Sequence, residues 1–125
     1  DCSSGDIVQA LTIPASHVIL WAGFQVTESA TMNTGTNATA TLGTAVDPNE
    51  YVTAFDIDGA SDGAYAPTVA QAGVLVTATA DTMDLTFAGD GATFSAGKIR
   101  VFCLLMDVSE LSPRTANEVD RDLLA

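Results

Sequence analysis

From His17 to Thr27 the chain reads His-Val-Ile-Leu-Trp-Ala-Gly-Phe-Gln-Val-Thr, with Val18, Leu20, Ala22, Phe24 and Val26 at every second position. A period of two puts alternate side chains on one face of extended backbone, whereas a helix would need apolar residues three and four apart. The stretch therefore predicts a long strand buried on at least one face.

Similar text recurs at intervals of about ten residues. Asp6 to Ile13 carries Ile7, Leu11 and Ile13 and predicts a first strand, broken by Pro14-Ala15-Ser16 because proline cannot donate to a central ladder. Thr36 to Leu42 alternates Ala38, Ala40 and Leu42 with polar residues, behind a turn signal at Asn33-Thr34-Gly35. Beyond the polar loop around Asp47-Pro48-Asn49, Tyr51 to Ile57 reads as a strand or a short helical turn, with Val52 and Ala54 facing one way and Phe55 and Ile57 the other. After the turn chemistry of Asp58 to Gly63, Val74, Val76 and Ala78 share one face, and Met83, Leu85 and Phe87 follow the short link Ala80-Asp81-Thr82 as a hairpin candidate. Gly89-Asp90-Gly91 and Ser95-Ala96-Gly97 read as turns. Lys98 to Val108 is the most apolar run and is expected to be a central strand buried on both faces.

Strands at this spacing with Gly-rich turns predict an all-β chain, an antiparallel β-sandwich or barrel, over residues 1–108. The character changes after Val108. Thr115-Ala116-Asn117-Glu118 matches a capping box, and Ala116, Val119 and Leu123 share one helical face, so residues 109–125 are expected to form a C-terminal arm or short helix. So short a helix needs a surface to lie on, its own sandwich or a neighbouring subunit.

Length and charge narrow the function. The 125 residues suffice for one domain with its own core. Of the 47% apolar residues many are alanine, and Lys and Arg total only four against sixteen acids, a net charge of -12. That charge repels polyphosphate and anionic membrane surfaces, which argues against nucleic-acid and membrane partners. No apolar run approaches a bilayer-spanning length, Asp1 to Asp6 lack a signal pattern, and the missing initiator Met implies processing or clipping. Cys2 and Cys103 sit far apart in the text, one near a terminus and one inside an apolar run, and are expected to stay unpaired.

Chemistry is sparse. His17, the single histidine, has no second His or Cys spaced for zinc. None of the serines lies in a Gly-x-Ser-x-Gly elbow, and the glycine clusters match no phosphate cradle. Asp47, Glu50, Asp56, Asp58 and Asp62 offer oxygen ligands for a hard cation, yet their spacing fits no EF-hand loop and suits turn capping in water. Only their convergence in a deep pocket would point to an enzyme. Asn37-Ala38-Thr39 satisfies a glycosylation sequon that arises readily by chance in Asn- and Thr-rich text. No catalytic residue, cofactor or metal ligand is expected.

Taken in order, Ile13-Pro14-Ala15-Ser16-His17 through Thr27, Ala40-Thr41-Leu42-Gly43, Asp47-Pro48-Asn49-Glu50-Tyr51-Val52, Phe55-Asp56-Ile57-Asp58-Gly59, Ala64-Tyr65, Thr82 to Phe87, Gly89-Asp90-Gly91-Ala92 and Ala96-Gly97-Lys98-Ile99-Arg100-Val101 resemble a recurring small virion protein of tailed bacteriophages. Proteins of this look are assigned to capsid decoration and, less often, to tails. The resemblance spans residues 6–108 and implies a jelly-roll-like antiparallel β-sandwich. It implies a cement protein on the outer surface of the capsid, commonly a homotrimer, clamping neighbouring major capsid protein subunits against internal DNA pressure. It carries no catalytic residues.

On that reading the residues to watch are interface residues. Trp21, on the face opposite Phe24, is the first of them, with Tyr51 and Tyr65, and with Leu111, Val119 and Leu123 of the arm. The alternative is a tail or fibre-associated module recognising a host surface glycan, marked by an exposed aromatic with amides nearby.

Overall fold

The computed structural model describes residues 2–68 and 77–109, and no α-helix occurs among them. Four strands carry the fold: β1 (Ile7–Ile13), β2 (His17–Gly43), β3 (Val52–Asp56) and β4 (Asp81–Asp107). They form one antiparallel sheet in the order β1-β4-β2-β3. The all-β, antiparallel expectation is met.

The strand lengths differ from expectation. β2 and β4 have 27 residues each and pair from His17 opposite Asp107 to Gly43 opposite Asp84. Straight strands of that length would extend roughly 90 Å, several times the width of a domain this size, so the ribbon has to bend. Register shifts between Val26 and Thr39 supply the bend, because each bulge kinks and twists its strand. Asn33-Thr34-Gly35, Gly89-Asp90-Gly91 and Ser95-Ala96-Gly97, expected to be turns between strands, lie inside β2 and β4. They face one another across the ladder, Thr34 opposite Thr93 and Thr31 opposite Ala96, so the chain bends there without reversing. Gly35 is held at φ 81°, and a side-chain carbon added to it would stand 2.6 Å from the backbone of Asp90 and Ala92.

The two ends of the ribbon share one core. Phe24 near the start of β2 meets Phe55 of β3 edge to face, with ring centroids 5.8 Å apart. Ile19, Ala22, Phe24 and Val26 join Ala38, Ala40, Leu42, Val52, Met83, Leu85 and Phe94 in a single buried cluster. Cys2, Leu11 and Phe87 pack against it from the margin.

Bulges also reassign faces. Ile19 lies opposite Leu105 and Trp21 opposite Leu104, so Leu20 is the extra residue and turns outward at 47% exposure instead of joining Phe24 in the core. In β3, Leu42 pairs with Val52 and Ala40 with Phe55. The inserted residue breaks the expected alternation: Val52, Phe55 and Ile57 point inward and Ala54 is exposed.

Two further expectations change. Of the hairpin strand expected over Gly73 to Ala80, residues 73–76 lie outside the described residues; Thr77 to Ala80 are not in a strand, and β4 pairs with β1 and β2. Lys98 to Val108 is not buried on both faces. Its partner is β2 alone among the described residues, and Leu104 and Met106 stand 56% and 43% exposed. The arm from Glu110 onward, with Leu111, Val119 and Leu123, lies outside the described residues.

Candidate functional site: an apolar outer face

At the start of β2 and the end of β4 the register sorts side chains cleanly. Trp21, Gly23 and Gln25 pair with Leu104, Phe102 and Arg100 and share the outer face, while Ala22, Phe24 and Val26 face the core with Cys103, Val101 and Ile99. A short extended segment lies along the free side of β2. Gly63 N donates to Val26 O at 2.7 Å, Val26 N to Ala64 O at 2.8 Å, and Ala66 N to Phe24 O at 3.0 Å. This brings Tyr65 opposite Gln25 and onto the same outer face.

The result is an aromatic group held by its own backbone. Trp21 stacks on Phe102, with centroids 4.8 Å apart and planes 22° from parallel, and Tyr65 leans on Phe102 at 6.0 Å. Gly23, directly opposite Phe102, leaves the room for that ring: a side-chain carbon there would sit 3.0 Å from it. The Trp21 indole N–H donates to Thr68 Oγ1 at 3.2 Å. Leu20, Trp21, Tyr65, Leu104 and Met106 remain exposed around the stack. A cluster of large apolar groups facing water marks a contact surface better than the same groups scattered singly.

Of the expected interface residues, Trp21 and Tyr65 therefore come together here. Tyr51 does not. Its backbone N–H bonds Leu42 O at 2.9 Å, and the ring is carried into the core at 2% exposure, because the Thr44–Glu50 loop returns the chain onto the end of β2. Phe102, Leu104 and Met106 were missed because an apolar run reads the same whether one face or both are covered.

Three of the acids accept from backbone amides, Asp56 and Asp47 within their own turns and Asp62 from β2. Asp56 Oδ1 accepts from Gly59 N at 2.7 Å, Asp62 Oδ1 from Ser29 N at 2.8 Å, and Asp47 Oδ1 from Asn49 N at 3.3 Å. Glu50, partly buried beside Asp47, has its pKa raised, first by lost hydration and then by the Asp47 charge. No group of three His, Cys, Asp or Glu able to hold a metal gathers among the described residues. His17 Nδ1 lies 2.9 Å from Ala15 O. Asp107, opposite His17, is held below the usual carboxylate range by hydrogen bonds from Ser109 and more weakly by His17. Cys2 and Cys103 are both free thiols, and burial raises the pKa of Cys103. Asn37 spends its amide on Asp90 Oδ2 at 3.0 Å.

A second feature had no sequence signal. A hollow of about 440 Å³ is lined by Val26, Ile57, Leu85, Phe87, Phe94 and Ile99, with the Glu28–Lys98 ion pair among its lining residues. Such walls suit an apolar group. No helix among the described residues is long and apolar enough to cross a membrane. No protein-family profile, curated protein or solved structure matches the chain.

Proposed function

We propose that the chain is a structural virion protein on the outer surface of a tailed-phage head, cementing neighbouring major capsid protein subunits against internal DNA pressure. The observation that carries the reading is the exposed strip of Trp21, Tyr65, Leu104 and Met106 around a half-buried Phe102 on an otherwise acidic β domain. A surface of this kind binds by excluding water from apolar groups, and many modest contacts repeated around a shell add up through multivalency. The sequence resemblance to capsid decoration proteins supports the same reading and adds the finer expectations of a jelly-roll-like sandwich and a homotrimer.

The test is quantitative mass spectrometry of purified virions together with binding of the purified chain to undecorated heads. Copy numbers comparable to the major capsid protein, with binding lost in Trp21→Ala, support cement. A handful of copies moves the chain to the tail, and absence from the particle overturns the reading.

A tail or fibre module recognising a host glycan is the second reading, favoured by Gln25 lying on the same face as Trp21 and Tyr65, its amide 3.1 Å from Gly63 O. Sugars stack on such rings and hydrogen-bond to such amides. Quenching of the single tryptophan by host-surface oligosaccharides, with heads left unbound, would favour it.

A further inference from the structure

Among the described residues, no strand lies on the outer side of the end of β4. Val108 N donates to Ser16 O at 2.9 Å, so even-numbered residues of this strand turn their backbone groups toward β2. The other side of β2 agrees: Phe24 and Val26 bond the 63–66 segment, leaving Gly23 and Gln25 to face Phe102 and Arg100. Ile99, Val101, Cys103, Leu105 and Asp107 therefore aim their N–H and C=O groups away from the sheet. Among the described residues nothing pairs with them.

Edges of this kind are templates for another strand, and soluble proteins blunt them with proline, lysine or bulges. Between Val101 and Met106 this edge reads Val-Phe-Cys-Leu-Leu-Met, with neither proline nor charge. The charges stand at its two ends, Lys98 and Arg100 at one and Asp107 at the other. They are the only Lys and Arg among the described residues; Lys98 is taken by Glu28, while Arg100 forms no ion pair there.

We propose that this edge pairs with the same edge of a second copy of the chain, antiparallel about a two-fold axis at Cys103. In that register Ile99 meets Asp107 of the second copy, Val101 meets Leu105, and Cys103 meets its own equivalent, so all five outward residues on each copy gain ladder partners. On the outer face Phe102 lies against the second copy's Leu104 and Arg100 against its Met106, while the neighbouring Asp107 of that copy points to the other face beside Ile99. The basic end of each strand thus approaches the acidic end of the other, and two chains of net charge -12 meet through a stretch that carries no acid from Lys98 to Met106. A two-fold contact closes on itself, which caps the edge without building a fibre. The inference does not rest on the capsid reading, since it uses only the edge and its end charges.

The test is sedimentation velocity of the full chain over a concentration series, with amide hydrogen exchange read residue by residue. A dimer is expected, in which the amides of Val101, Cys103 and Leu105 gain protection as concentration rises, while those of Phe102 and Leu104 are protected throughout. Val101→Pro removes an N–H only on the open side and is expected to weaken the dimer by about tenfold or more. Arg100→Asp is expected to weaken it as well, and Arg100→Asp combined with Asp107→Arg to restore it. This charge swap decides the matter even where the proline variant fails to fold. A chain that stays monomeric at its solubility limit, or a dimer indifferent to the swap, overturns the proposal. So does protection of Val101, Cys103 and Leu105 that is independent of concentration.

Discussion

The two ends of the β2–β4 ribbon are built from the same strands and finished differently. At one end β1 and β3 flank the pair, and Ala38, Ala40, Leu42, Val52 and Met83 are sealed from water. At the other, β4 has no outer neighbour among the described residues, and Leu104, Met106, Trp21 and Tyr65 face solvent. A long strand is protected where a shorter strand covers its edge and a core covers one face. At the first end β1 and β3 cover the outer sides of β4 and β2, and the core face is sealed. The second has a core face and a bare outer face, so the first end holds the fold together and the second is available for contact.

That contrast breaks most sharply at Phe24, the residue through which the open end grips the closed one. Phe24→Ala is expected to cost about 3–5 kcal/mol in denaturant unfolding, because the ring is fully buried and its edge-to-face partner Phe55 would line a cavity. Gly35→Ala tests the bend between the ends. Its positive φ and the close backbone of Asp90 and Ala92 give an expected loss of about 1–3 kcal/mol by the same measurement. Trp21→Ala removes the stack on Phe102 and the bond to Thr68, an expected loss of about 1–2 kcal/mol, smaller because half of the ring is already in water.

Two smaller effects sharpen the comparison. At the closed end Glu50 has a raised pKa, so the folded state holds its proton more tightly than the unfolded chain does. Its contribution is therefore most favourable at low pH and is lost as pH climbs through the window above the ordinary glutamate value of about 4.3. Glu50→Gln is expected to raise neutral-pH stability by less than about 1 kcal/mol, the gain fading on acidification in a pH series of melts. Asp107 at the open end has the opposite sign: its lowered pKa favours folding at higher pH, an effect lost as pH falls below the usual carboxylate range. Smallest of all, Leu104→Ser is expected to leave unfolding of the isolated chain within about 0.5 kcal/mol of the parent, since Leu104 is mostly in water. An effect as large as that of Phe24→Ala would mean the outer face is covered from within the chain.

Much of the fold was legible in the text. The strand at Ile7–Ile13, the start of β2 at His17 and the all-β class follow from period-two alternation and the absence of helical spacing before Ser109. Trp21 was placed opposite Phe24, and it lies there, because no bulge intervenes between them. Leu20, Ala54 and Tyr51 were misplaced for a common reason. One inserted residue reverses every later assignment of faces, and neither a bulge nor a returning loop alters the composition from which the faces were read. The glycine clusters were misread in the same spirit, since a glycine that permits a turn equally permits a bend within a strand.

By itself the sequence determined that this chain forms strands, that its surface is acidic, and that His17 and the scattered acids carry no recognised catalytic spacing, because alternation, charge and motif spacing are local properties. Only the tertiary structure decided that two strands run the length of the fold, that Tyr51 is core, and that Leu104 and Met106 are exposed beside a half-buried Phe102. Those outcomes depend on which strand becomes the neighbour of which. Edge and centre are properties of the sheet, set by long-range pairing that no local pattern encodes.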